Sequence, residues 1–526
     1  MSVFRSYFSQ NNTLIKNNVT NNALNPVTEI SYGTNNAEVT RFILDIDLTD
    51  LQTKIAQGLI IPNSSMKHVL HMTNTISYAP QYIGKKSYTT AINRASSFDL
   101  EFFNINQAWD GGSGYDLIYG SSAPRILYDA SGNTTGITYN IGSFSEMGQG
   151  DAVYGASNWF SGKTNVVWNV AGAYQSGATQ ILSTQHFDAG NENIDIDITN
   201  YINQRLFSGY TGTTAFTGDT YGIGIKFSEA FEEQKTQFRE AVAFHAKNTN
   251  TWYEPYLETT IDDTIVDDRN YFYLDKENSL YFYLNNNLPN VVVNKVEIYD
   301  HDGDLVDILS GSSIINVCKG IYKINLTVNS DDYPDAVLFN DKWFLTINGK
   351  TSEYTGDFYL ISADNYYGFD NSNNINFDNY FFYFWGIGEK ENIMNGNVRK
   401  IKLTIKELYP NQNNFVPLEL EYRVFTTIGS KYQIDVIPFT SINRTNTGYY
   451  FNLDTSWLIP QDYYLQIRMK NGDYYENKQT LSFTVVSDGS QLFSTTSMPV
   501  PQPIPMKQFP TGFMYNNTLL FNSKTW

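Results

Sequence analysis

Five histidines, a single cysteine and two short pairs of aspartates are the residues with which this sequence could do chemistry. His68 and His71 are three apart, a spacing that would join them on a helix, but Pro62 and the surrounding Ser and Thr favour loop or strand, and no carboxylate motif accompanies them as a metal-ligand set requires. His186 and His245 fall in or beside strand patterns and read as packing residues, while His301 lies in the run Asp300-His-Asp-Gly-Asp304. That run opens like a calcium loop, yet the twelfth position is Gly311 and no helical pattern flanks it, so it reads as a hairpin turn. Asp45/Asp47 and Asp195/Asp197 have the two-carboxylate form of a glycosidase site. Both pairs alternate with apolar residues, which assigns them to the outward face of a strand, where charge is expected by default. Cys318 has no partner for an intrachain disulfide or a multi-cysteine metal site. No catalytic set, metal site or cofactor is expected, and no Gly-rich phosphate loop or nucleophile elbow occurs. Aromatic rings remain: Trp109, Trp159, Trp168 and Trp252 are the candidate platforms for stacking on a sugar, each with a core role as its alternative.

The elements that would position these residues are strands. In Arg41 to Leu48, Phe42, Leu44, Ile46 and Leu48 share one side and Arg41, Ile43, Asp45 and Asp47 the other, the pattern of a half-buried strand. Thr49, with Gln52 three residues on, reads as the cap of a helical turn that stops at Gly58. The unit recurs: Ile194, Ile196 and Ile198 alternate with acids, Thr199 caps a turn carrying Tyr201, Ile202 and Leu206, and Ile223, Ile225 and Phe227 supply another strand. Glu229 to Glu240 fits a short helix or a charged loop equally well.

With 526 residues, the chain has room for three to four domains of ordinary size. Its 39 Tyr and 34 Phe, with many Asn and Thr, favour sheets joined by polar turns. The net charge of −19 argues against a general grip on nucleic acid, which needs clustered cations; it suits a solvated surface, or an acid-lined passage through which DNA slides. No apolar run approaches a membrane span and the opening residues lack a signal-peptide core, so a soluble product of the cytoplasm is expected.

The order along the chain is an all-β, multidomain one. Residues 1–28 read as an N-terminal arm, 29–263 as a jelly-roll-like β-sandwich, 264–368 and 369–490 as two tandem immunoglobulin-like β-sandwiches, and 491–526 as a Pro-rich extended C-terminal arm. The tandem pair rests on three blocks in the same order: Gly320 to Leu326 with Gly448 to Leu453, Trp343 to Gly349 with Tyr463 to Gly472, and Phe358 to Asp364 with Phe483 to Asp488. In the last stretch, Pro499, Pro501, Pro503 and Pro505 favour an extended spacer, and Phe513, Tyr515, Leu520 and Trp526 give it apolar residues for a neighbouring subunit.

Two resemblances add to this. Trp109-Asp-Gly-Gly-Ser-Gly-Tyr115, Trp159, Trp168, Gln185-His-Phe-Asp188, the Asp-Ile-Thr strand end at Asp197 and the closing Pro255-Tyr-Leu-Glu258 resemble, in this order, the DNRLRE-type β-sandwich, a relative of carbohydrate-binding modules. The opening FRSYFSQNNTLIKNN and Asn25-Pro-Val-Thr-Glu-Ile-Ser-Tyr-Gly33 resemble the starts of virion proteins of tailed bacteriophages, of the crAss-like podovirus type. These resemblances imply a structural protein of the tail or portal vertex, made in the bacterial host. Its partners would be copies of itself in a ring and other phage tail, portal or fibre proteins. The alternative they imply is a head or tail fibre, or an adhesin, holding host glycans on the N-terminal sandwich. A tail-borne depolymerase lacks a catalytic pair, and a trimeric fibre would show register-keeping repeats that are missing here. A ring or collar subunit is therefore the expected function, without enzymatic activity.

Overall fold

Alternation of apolar and polar residues dominates the chain, and strands are what form. The computed structural model describes residues 2–16, 21–33, 39–75, 92–95, 97–112, 125–128, 134–138, 156–163, 166–174, 181–207, 219–234, 239–284, 288, 290–333, 337–361, 380–407, 419–428, 432–471, 474–487, 514–515 and 518–519. The chain divides into two compact units: Arg5–Gln52 with Lys67–Thr259, and Met1–Phe4 with Thr53–Met66 and Thr260–Ser497.

The N-terminal region is built from β1 (Ser2–Ile15), β2 (Val27–Tyr32), β3 (Thr40–Ile46), β4 (Lys67–Met72), β5 (Ile92–Arg94), β6 (Phe98–Ile105), β7 (Arg125–Tyr128), β8 (Thr134–Thr138), β9 (Ser161–Lys163), β10 (Val166–Val167), β11 (Ile181–Phe187), β12 (Ile194–Asp197), β13 (Gly222–Phe227), β14 (Arg239–His245) and β15 (Tyr256–Ile261). Among the described residues, three short helices accompany them: α1 (Thr49–Ala56), α2 (Thr199–Leu206) and α3 (Glu229–Glu232). The main sheet runs β11-β6-β13-β3-β1-β15-β4-β12, with β2, β14 and β5 branching from β3, while β7–β8 and β9–β10 are separate ribbons. Strands from both ends of this order meet in one jelly-roll-like core that holds Phe42, Leu44, Phe102, Phe187, Ile196, Ile225 and Phe244.

Two expectations are corrected here. Residues 1–28 are not an arm, because β1 is an interior strand paired antiparallel with β3 from Phe8 to Ile15. Nor is β3 half-buried: Phe42, Leu44 and Ile46 enter the main core, and Ile43 on the other face is fully buried in a second cluster with Leu14, Phe103, Trp109, Trp159 and Trp168. A second apolar layer covers the face that alternation assigned to solvent.

The C-terminal unit is a tandem duplication. Its first sandwich contains β16 (Phe272–Tyr273), β17 (Glu277–Tyr283), β18 (Val291–Tyr299), β19 (Leu305–Ser310), β20 (Ile315–Cys318), β21 (Ile321–Thr327), β22 (Leu338–Ile347) and β23 (Lys350–Ile361). Its second contains β24 (Tyr380–Trp385), β25 (Glu391–Met394), β26 (Val398–Glu407), β27 (Glu419–Ile428), β28 (Tyr432–Ser441), β29 (Asn443–Thr445), β30 (Gly448–Asp454), β31 (Gln461–Asn471) and β32 (Tyr474–Val486). The sheets β16-β23-β22-β18-β19 and β25-β32-β31-β27-β28 have the same order, and each begins with a short strand parallel to the last long one. The facing sheets are β17-β21-β20 and β24-β26-β30-β29, so β26, β30 and β29 repeat β17, β21 and β20, and β24 is an addition. Both are immunoglobulin-like β-sandwiches with their own cores, around Trp343 and Phe358 in the first and Leu465 and Phe483 in the second. Asp300 to Asp304 is the hairpin turn between β18 and β19; the Asp300 carboxylate accepts the backbone N–H groups of Asp302 and Asp304.

The two sandwiches are joined by more than a linker. Ahead of β16, Arg444 donates its N–H to Ile265 (2.8 Å) and its carbonyl accepts from Asp267 (3.0 Å), a parallel bridge onto β29. Arg444 also pairs with Asp268, Asn270 donates to the Asn446 carbonyl (2.9 Å), and Ile265, Tyr281 and Tyr450 close an apolar cluster. Val3 is buried with the second sandwich's core, and Lys54 pairs with Asp454 at 2.8 Å. Of the C-terminal residues assigned to an arm, Pro499, Pro501, Pro503, Pro505, Phe513, Leu520 and Trp526 lie outside the described residues; Tyr515 belongs to a two-residue strand, β33 (Met514–Tyr515), paired with β34 (Thr518–Leu519).

Candidate functional site

The histidines are dispersed. On β4, three residues apart means opposite faces, so His68 and His71 cannot share a ligand. His68 is fully buried, its Nδ1 2.8 Å from Thr259 Oγ1 and its Nε2 3.3 Å from Asn203 Oδ1. Burial pulls its pKa down to about 4, so the ring is neutral at ordinary pH. His71 pairs with Asp195 and stacks on Tyr256. His186, expected to pack, instead lies on the surface between Asp99 (2.7 Å) and Asp188 (3.3 Å), and the hydrogen bond it donates to Asp99 raises its pKa. His245 is half-buried against Tyr253 and bonds Thr249; His301 faces Asp302 in its turn. Among the described residues no three of His, Cys, Asp or Glu converge as metal ligands.

Each carboxylate of the two aspartate pairs has its own partner. Asp45 pairs with Arg205 at 2.8 Å. Asp47 and Asp197 accept the N–H groups of Thr49 and Thr199, the first residues of α1 and α2, at 3.0 and 2.9 Å. The threonines were expected as N-caps, but each is the first residue of its helix, the residue before α2 being Ile198.

Trp109, Trp159 and Trp168 are core residues and cannot stack on a ligand. Trp109 donates its indole N–H to the Tyr221 carbonyl (2.9 Å) and Trp168 to that of Asn158 (2.8 Å). Trp252 alone of the four is exposed, in the loop beside Tyr253.

The N-terminal sandwich also has a charged recess of about 310 Å³ lined by Lys16, Arg41, Tyr174, Lys226, Glu229 and Glu232, which the sequence reading missed because its members are far apart in the chain. Its two central cations are committed. Arg41 grips Glu232 through two nitrogens, at 2.9 and 2.7 Å, and donates to the Gly172 carbonyl at 3.1 Å. Gly172 has φ +81°, and a Cβ there would lie 2.7 Å from both Arg41 Nη1 and the Trp159 ring, so only glycine fits. Lys226, fully buried, sits 2.7 Å from Glu101 and 4.3 Å from the centre of the Tyr174 ring. The recess is a set of internally satisfied ion pairs that ties β3, β13 and α3 together.

On the second immunoglobulin-like sandwich, the added strand β24 turns Phe381, Tyr383 and Trp385 outward, with 46%, 51% and 63% of their surface exposed. The fold defines a class: an all-β chain of a jelly-roll-like sandwich followed by immunoglobulin-like sandwiches. No protein family matches the sequence, and no curated protein matches it. Among solved structures, the tandem Ig repeats of Dlar are similar at 12% identity, over 41% of this chain and 92% of that one, with a TM-score of 0.13. Three N-terminal domains of the highly immunogenic outer capsid protein of bacteriophage RB49 are similar at 9% identity over 57% and 86%, TM-score 0.16. A DUF4785 family protein from Legionella pneumophila is similar at 9% identity over 91% and 93%, TM-score 0.15.

Proposed function

We propose that this chain is a structural virion protein of a tailed bacteriophage, a subunit of a ring, collar or tail-hub assembly that works by packing of many copies. The observation that carries the reading is the joint between the two immunoglobulin-like sandwiches. A backbone bridge, an ion pair and an apolar cluster at one place make a stiff pair of domains, as a part that transmits load requires, where a tether would leave beads on a string. The resemblance of the opening residues to phage virion proteins supports the same reading. Subunits of this kind would meet through heterologous contacts that close by rotation, hold tail parts against the pressure of packaged DNA, and perform no catalysis. Its place would be the tail or portal vertex, its synthesis in the host cytoplasm.

The test is light scattering and negative-stain imaging of the full-length protein, alone and with portal or tail proteins of the same phage, beside a form ending before Pro499. Closed rings, or assembly on adding the partners, are expected, with weaker assembly but intact sandwiches in the truncated form. A slender trimer, or a monomer indifferent to every partner, would overturn the reading.

A further inference from the structure

An edge strand with no counterpart among the described residues of the first sandwich, which sets three aromatic rings in solvent, needs an explanation. Soluble proteins seldom leave adjacent large rings uncovered without a binding role. In β24, Phe382 enters the core and Tyr380 and Phe384 pack against it, which leaves Phe381, Tyr383 and Trp385 on the outer face. Two strand residues span about 7 Å, so the rings form a line roughly 14 Å long from first to last. The register pairs Phe381 with Lys406, Tyr383 with Thr404 and Trp385 with Lys402 on β26, so the same face carries a lysine across from each end of the line.

This face is built. Trp385 donates its indole N–H to Thr404 Oγ1 at 2.9 Å, which holds the ring across β26. The chain then turns at Gly386, φ +94°, where a Cβ would meet the Lys400 carbonyl at 2.8 Å. Nearby carboxylates are engaged elsewhere: Glu391 with Arg399 at 2.5 Å, and Glu389 with the Ser482 hydroxyl and N–H. In a chain of net charge −19, β26 carries Arg399, Lys400, Lys402 and Lys406; Arg399 pairs with Glu391 and Lys400 lies over the Tyr450 ring, so Lys402 and Lys406 are the cations of the outer face.

We infer that the outer face of β24 and β26 binds an acidic polysaccharide lying along β24. The electropositive C–H faces of successive pyranose rings would stack on the electron-rich faces of Phe381, Tyr383 and Trp385, and sugar carboxylates would meet Lys402 and Lys406. A line of rings suits a linear ligand. Two lysines on so acidic a chain fall short of the cation cluster that phosphate binding needs, so a nucleic acid is disfavoured. The inference does not depend on the ring or collar reading, since a virion subunit and an adhesin could both carry such a face.

Affinity electrophoresis and calorimetry of the full-length protein with polygalacturonate, hyaluronan and polysialic acid test it, with neutral dextran and an oligo-dT as comparators. Binding to at least one acidic polymer, much weaker binding to dextran and to oligo-dT, and a loss of about tenfold or more in Tyr383→Ala and in Trp385→Ala are expected. The double variant Lys402→Gln/Lys406→Gln should also bind more weakly and lose most of its salt dependence. All four side chains are on the surface, so a melting curve suffices to show that each variant is folded. No binding to any acidic polymer, binding to dextran or oligo-dT at least as tight, or affinity unchanged by Trp385→Ala overturns the inference. Loss of self-association in Trp385→Ala without polysaccharide binding would assign the face to a second copy of the chain instead.

Discussion

Asp267 illustrates how a single side chain acquires a role its sequence neighbourhood conceals. Val-Asp-Asp-Arg reads as an exposed loop, yet Asp267 is 1% exposed, its carboxylate accepting from the Arg269 N–H and the Tyr283 hydroxyl, each at 3.2 Å. Burial pushes its pKa up to about 6, and the Arg269 charge pulls part of that back. The fold therefore favours the protonated form. The resulting contribution to stability is complete below the ordinary carboxylate pKa near 3.8 and is lost as the pH rises through about 6. Asp267→Asn, which cannot ionise, should be more stable than the natural protein by about 1–3 kcal/mol at pH 7.5, and the gap should close towards pH 4. Urea denaturation of both proteins across that range measures it, and a gap independent of pH would sink the idea. Nothing in the sequence distinguishes Asp267 from Asp262 or Asp263, because burial is decided by β29, which lies about 180 residues further on. The four tryptophans make the same point: residue type suggested a stacking platform, but only tertiary placement separates core rings from surface ones.

At the scale of the element, β3 shows what a periodic pattern can and cannot carry. Period-2 alternation identified Phe42, Leu44 and Ile46 as a core face, and all of them are buried in the main core. The opposite face was beyond reach, because Trp109, Trp159 and Trp168, which cover Ile43, come from distant loops and ribbons. Large-to-small changes in a packed core cost the transfer energy of the lost atoms and a cavity term. Phe42→Ala, Leu44→Ala and Ile46→Ala should each destabilise the N-terminal sandwich by about 2–5 kcal/mol, and Ile43→Ala by a similar amount. A solvated face would instead give a change within about 0.5 kcal/mol for Ile43→Ala. Chemical denaturation of that single variant therefore decides whether the second layer contributes to the fold. The acid–apolar–Thr repeat was legible in a different sense. Its recurrence was plain in the sequence, while the bonds from the first N–H of each helix to Asp47 and Asp197 needed the geometry.

For the whole molecule, the duplication in the C-terminal half could be read from three blocks of sequence because β21–β23 and β30–β32 keep the same order and spacing of core residues. The added strand β24 and the joint could not, since neither belongs to the repeated pattern. The joint also bears on how the two sandwiches unfold. If it couples them, they should unfold together, and weakening it should separate them. Arg444→Ala removes the ion pair to Asp268 while keeping the backbone bridge, and it leaves a half-buried carboxylate with the Ser279 N–H at 2.8 Å and the charge of Lys323. Losing one partner of such a pair costs about 3 kcal/mol when burial is deep. Calorimetry of the variant should show the single transition of the two sandwiches split in two, with the earlier one shifted down, and light scattering should show a smaller assembled fraction. Arg444→Lys, which keeps the charge on a differently shaped head group, should fall between the two. If Arg444→Ala melts in one unshifted step and assembles like the natural protein, the sandwiches are coupled elsewhere or not at all, and the stiffening role proposed for the joint fails with that result.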